Sequence, residues 1–171
     1  ANRSGDIAIG YSSTSGTYTG TQISNDSEGE NISLGNWSTA YGGKALAVGS
    51  HAEATAASST ALGMGSQASG VKSLSIGSDA NASGENALAI GGSAAAAGES
   101  SMAIGSHASA SDEQSFAVGY KAQATKADAV ALGTQAKAQA DRALSFGYNS
   151  SATKNDAIAM GSNAKAQGMS S

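Results

Sequence analysis

Cysteine and proline are absent from this chain of 171 residues, aromatic side chains make up only 5% of it and charged ones only 13%. Without cysteine there is no disulfide framework and no thiolate metal site, while an exported bacterial protein and a cytosolic one both stay open. The hydrophobic fraction is 40%, but alanine supplies most of it, and so few aromatics argue against a conventional thick core. No run approaches the roughly 18 apolar residues of a membrane-spanning helix, and the N-terminus lacks the basic-then-apolar pattern of a signal peptide. If the protein is exported, the sequence is expected to be an excised fragment. Sparse charge and 23 glycines also fit disorder, because glycine, serine and alanine bury little surface to offset chain entropy. Periodicity decides against disorder.

Gly35, Gly49, Gly63, Gly77, Gly91, Gly105, Gly119, Gly133, Gly147 and Gly161 follow one another at intervals of 14 residues. Ten copies in register mark a repeat architecture. With this glycine as position 0, position +5 is alanine in every copy, from Ala40 to Ala166, and position +3 is always Ala or Ser, from Ser38 to Ala164. Before each glycine small and large residues alternate, as in Ala45-Leu46-Ala47-Val48, Ser73-Leu74-Ser75-Ile76 and Ala87-Leu88-Ala89-Ile90. Thr60 is the one large position that is not apolar. A period of 14 equals two heptads, and the Ala- and Lys-rich stretch from Lys121 to Arg142 favours helix by propensity. Large residues two apart, however, would lie about 200° from each other on a helix, whereas a coiled-coil seam needs spacings of three and four. Strands fit, and each repeat is expected to hold two of them, at +2 to +6 and +10 to +13, joined by turns where Gly, Asn, Asp and Ser cluster. One repeat is then one coil of a solenoid.

Ile7-Ala8-Ile9-Gly10 matches the same strand, but Gly10 lies 25 residues before Gly35. The chain therefore reads as a single domain over residues 1–171, with an irregular coil at 11–30 that carries an eleven-residue insertion, expected to be a surface loop, and regular coils over 31–168.

Successive strand residues point to opposite sides, so the small residues share one face and the large ones the other. The consistent closure puts the small residues inside a thin coil, Ala54, Ala82, Ala96, Ala110, Ala124 and Ala138 among them. The large residues then form an outer stripe about 50 Å long at the roughly 4.8 Å spacing of strands, more apolar surface than monomers tolerate. Its members Leu46, Val48, Leu74, Ile76, Leu88, Ile90, Met102, Ile104, Phe116, Val118, Val130 and Leu132 are the candidate subunit interface. The alternative closure puts the large residues inside and makes a monomeric solenoid, which leaves alanines on both outer flanks unexplained.

The repeated [Ala/Ser]-Φ-[Ala/Ser]-Φ-Gly strand resembles the Asn-Ser-Val-Ala-Ile-Gly-x-x-Ser motif of YadA-like heads of trimeric autotransporter adhesins, over Asn31 to Gly168 and Ile7 to Gly10. One copy falls on Asn86, Ala87, Leu88, Ala89, Ile90 and Gly91; Ala94 stands where the motif ends in serine, a serine that Ser38, Ser66 and Ser150 supply in other coils. The resemblance implies an all-β, left-handed parallel β-roll, homotrimeric, on a coiled-coil stalk and C-terminal outer-membrane anchor that are missing here. It also implies a head at the surface of a Gram-negative bacterium that binds collagen, fibronectin, laminin or host cell surfaces, a role in virulence. The alternative is a purely structural fibre segment, phage-tail-like or a surface spacer, with no ligand of its own. An ice-binding solenoid would show flat arrays of threonine, whereas +4 and +6 hold Thr39, Glu53, Gln67, Asn81, Lys137 and Lys165.

No phosphate-binding glycine loop, nucleophile elbow or metalloprotease helix occurs, so no enzyme, cofactor or nucleic-acid partner is expected. His51 and His107 both occupy +2 but are four coils apart, roughly 19 Å at β spacing, too far to share a metal. The acidic residues lack the Gly-Gly-x-Gly-x-Asp repeat of calcium-binding β-rolls. Trp37 and Tyr41, outward on the first regular coil and near Tyr11 and Tyr18, are candidate ligand contacts. Charge is polarised: residues 1–120 carry 3 basic and 10 acidic side chains, residues 121–171 carry 6 and 3. The basic end, with Lys121, Lys137 and Lys165, is the second candidate ligand surface, one that attracts acidic host surfaces or glycans.

Overall fold

The computed structural model describes residues 6–15 and 29–168, and over them the chain is a parallel β-solenoid without helix. Its 22 strands alternate in kind. Odd-numbered strands have three residues, from β1 (Ile7–Ile9) to β21 (Ile158–Met160), and even-numbered ones have two, from β2 (Thr14–Ser15) to β22 (Lys165–Ala166). Each kind forms its own 11-stranded sheet, in which every strand pairs in parallel with its equivalents one coil before and after. In β11 (Leu88–Ile90), Leu88 stands opposite Leu74 and Met102, and Ile90 opposite Ile76 and Ile104. A constant period thus turns each repeat position into a straight column.

The strands occupy +4 to +5 and +11 to +13, which is shorter than the expected +2 to +6 and +10 to +13. The cause is a left-handed residue in each turn. Among the described residues, all 20 non-glycine residues with positive φ stand at +2 or +9, with φ between 51° and 75°, and Gly65 at +2 joins them at 65°. The N–H at +3 donates to the carbonyl at 0, as Ala52 does to Gly49 at 3.3 Å, and that at +10 donates to +7, as Ser59 does to Ala56 at 3.2 Å. Both are β-turns whose third residue takes φ > 0. The left-handed residues continue the coil-to-coil ladder: His51 N donates to Asn36 O and Ser58 N to Gly43 O, at 2.9 and 2.8 Å. The ladder between coils therefore runs on through both turns at these positions.

The position-0 glycines are a different case. Gly91 has φ +132°, a region that side chains rarely enter, and a Cβ there would stand 2.6 Å from the carbonyl carbon of Gly105 in the next coil. Glycine recurs because both the dihedral and the space require it.

Among the described residues every buried apolar side chain is an alanine, and the buried polar ones are serines apart from Asn31. The interior is so thin that +12 meets +3 across it: Ser33 Oγ lies 2.7 Å from Ser38 Oγ, and Ser145 Oγ 2.7 Å from Ser150 Oγ. No space remains for a leucine, so the closure with large residues inside does not occur. Serine hydroxyls there commonly bond to the turn carbonyl three residues back, as Ser66 does to Gly63 at 2.9 Å and Ser115 to Asp112 at 2.6 Å.

The first coil is regular for longer than its spacing predicts, since Thr14 and Ser15 pair in register with Thr39 and Ala40. Glu30, with φ 75°, already occupies +9. The eleven extra residues therefore enter between Ser15 and Gly29, in the second turn; that segment, with Tyr18, lies outside the described residues. Beside it Asn31 fills an interior position. Its Oδ1 accepts from the N–H groups of Gly43 and Ala45, both at 3.0 Å, and its Nδ2 donates to Asp6 Oδ1 at 3.2 Å.

Candidate interface and ligand surface

The three-residue strands present their outer residues as two parallel apolar columns, +11 and +13. Leu46, Val48, Leu74, Ile76, Leu88, Ile90, Met102, Ile104, Phe116, Val118, Val130 and Leu132 are all half-buried. Their own coil gives them no cover; what they have comes from neighbours in the column. Cover thins towards the ends, where Ile9 is 63% and Met160 67% exposed. Behind them, Ala54, Ala82, Ala96, Ala110, Ala124 and Ala138 are 0% exposed and fill the coil. A sheet face apolar but for Thr60, with a rigid backing, is suited to packing against a like surface. No three His, Asp or Glu side chains come together as metal ligands among the described residues.

The repeat itself has a known counterpart. The YadA head domain repeat matches residues 40–66, 68–94, 96–122, 124–150 and 152–171, each full match spanning two coils. The chain belongs to the YadA head domain family. This β-solenoid is an adhesin-type head, and the family's heads assemble as homotrimers. A comparison with curated proteins finds no match.

On this head, the candidate ligand residues fall in two places. Trp37 occupies the left-handed +2 turn with φ 59° and is 49% exposed. It pairs edge-on with Tyr11, centroids 5.5 Å apart, and stacks on His51 at 6.3 Å. Tyr41 is half-buried at +6, on the far side of the strand β4 (Thr39–Ala40), so the structure does not join it to Trp37. The sequence grouping missed His51: Tyr11 at +1 and Trp37 and His51 at +2 stand in equivalent turns of successive coils.

Lys121, Lys137 and Lys165 are all exposed. Lys121 and Lys137 line one shallow recess of about 190 Å³ together with Gln123, Gln135 and Asn149, while Lys165 lies outside it. The recess is a consequence of the repeat. Columns +2 and +4 point outward, and the +3 residues between them, Ala122 and Ala136, point inward and are 0% exposed, so backbone floors the valley. Its amide residues and the neighbouring Tyr120 were not singled out in the sequence, although rows of 14 put Lys121, Gln135 and Asn149 in one column and Gln123 and Lys137 in another. Lys121 Nζ rests 5.1 Å from the Tyr120 ring centroid, and the His107 and Tyr120 rings meet edge-on at 6.2 Å. In the opposite turn, Arg142 donates to Asp156 from Nε at 2.6 Å and from Nη2 at 2.9 Å, joining the +9 turns of two coils. The hydrogen bond holds the Asp156 carboxyl below the usual carboxylate range and raises the guanidinium of Arg142.

Proposed function

We propose that this chain is the binding head of a homotrimeric bacterial surface adhesin, in which three rods pack their apolar columns about a shared axis and the outer faces engage host extracellular-matrix or cell-surface ligands. The observation that supports this reading is the apolar face itself. The coil is already filled by Ala and Ser, so Leu88, Ile90 and their column mates gain cover only from another chain. Full burial of each such side chain is worth roughly 1.5–3 kcal/mol. Rotational symmetry brings the same column of every subunit to the axis, which makes the interface self-complementary. The polar outer faces are then displayed three times over, and linked weak sites gain avidity.

Binding of the purified chain to immobilised collagen, fibronectin and laminin, alongside the L88E/I90E variant, tests this. The expected result is binding to at least one matrix protein that the variant loses together with its assembly. A trimer that binds no matrix or cell-surface ligand would instead mark the chain as a structural spacer.

A further inference from the structure

We infer that the recess between the +2 and +4 columns of three successive coils, lined by Lys121, Gln123, Gln135, Lys137 and Asn149, is a binding site for one acidic sugar residue of a host glycan. The inference rests on the reading of the chain as an adhesin head and names the ligand class that this surface takes. Every residue that lines it has a polar side chain, and none is a carboxylate. Neither lysine takes part in an ion pair among the described residues. Lys121 is nevertheless positioned, because the Tyr120 ring attracts its ammonium and leaves its N–H donors free. Asn149 is fixed as well: its Nδ2 donates to Asn163 Oδ1 at 2.9 Å.

Two cationic points therefore flank three amide side chains. The ammonium groups suit a carboxylate or sulfate, and the amides, which both donate and accept, suit ring hydroxyls. The size agrees, since about 190 Å³ is below the roughly 300 Å³ at which pockets for drug-sized ligands begin. An acidic protein segment fits less well, because protein hot spots centre on apolar and aromatic anchors in desolvated pockets, and the recess offers none. The surrounding C-terminal segment, residues 121–171 with net charge +3, adds long-range attraction for a polyanion.

The test is calorimetric titration of the purified chain with heparin oligosaccharides, which carry sulfate, with hyaluronan oligosaccharides, which carry carboxylate alone, and with poly-glutamate. Each is repeated on K121Q/K137Q and on K126Q/K154Q, which removes the same charge from exposed turns outside the recess. Binding of either glycan, lost about tenfold or more in K121Q/K137Q and less than about threefold in K126Q/K154Q, is the expected result. Heparin alone would identify the anion as sulfate, and binding of both glycans would show that carboxylate suffices. Absence of binding to both glycans, equal losses in the two variants, or poly-glutamate binding as tightly as the glycans would overturn the inference. Unchanged melting of both variants is checked alongside. Because assembly is not the readout, a failure here leaves the trimeric head standing, and a monomer that binds glycan through these lysines contradicts only the trimeric reading.

Discussion

At the scale of single residues, the head is governed by how little room its interior leaves. Alanine is the largest apolar side chain that fits, and serine is admitted where its hydroxyl reaches a carbonyl or a second serine. Ser38 does both, bonding to Gly35 O at 2.9 Å and Ser33 Oγ at 2.7 Å, whereas the buried Ser75 Oγ has no partner. Leaving a buried hydroxyl unpaired costs about 1–3 kcal/mol, and alanine already stands at the equivalent Ala61 and Ala89. Ser75→Ala is therefore expected to raise the unfolding midpoint, and Ser38→Ala to lower it by the loss of two bonds, about 1 kcal/mol or more. Urea unfolding of the two variants beside the parent checks the opposite signs; equal effects would contradict the hydrogen-bond account.

At the scale of the element, the unit is a half-coil: a very short strand and a turn with one left-handed residue. For L-residues that conformation costs roughly 1–2 kcal/mol, and more for β-branched ones. Correspondingly, among the described residues no Val, Ile or Thr occupies the left-handed +2 and +9 positions. Lys72, exposed at +9 with φ 56°, isolates the effect. Lys72→Gly is expected to stabilise by up to about 1 kcal/mol and Lys72→Ile to destabilise by more than that, measured as a shift in thermal midpoint; a neutral isoleucine would contradict the turn geometry. The coil and the split of small from large were legible in the sequence, because a strict period of 14 with alternation every second residue admits little else. Strand ends were not legible. The turn positions vary freely among Ser, His, Lys, Gln, Asn and Asp, and only the missing β-branched residues betray their φ. The recess escaped for a related reason: Lys121 and Lys137 were visible as charges, but their amide neighbours become a site only when successive coils are stacked.

At the scale of the whole molecule, the described residues stack as eleven coils into a rod with one apolar face and one polar face, and net charge is negative over residues 1–120 and positive over residues 121–171. The polar face explains itself in water, and the charge asymmetry gives the rod a preferred end for acidic ligands. The apolar face has no such explanation in an isolated chain. At roughly 4.8 Å per coil it runs about 50 Å, a contiguous stripe well beyond what monomers leave uncovered. In the proposed head, the apolar face assembles the trimer and the polar face meets the host. Sedimentation equilibrium of the purified chain at micromolar concentration, with L88E/I90E beside it, tests this most directly. The account predicts a mass three times the 16.5 kDa of the chain for the parent, and dissociation with loss of structure for the variant, whose glutamates would meet unpaired at the axis. A well-folded monomer that the double substitution leaves unchanged would contradict it.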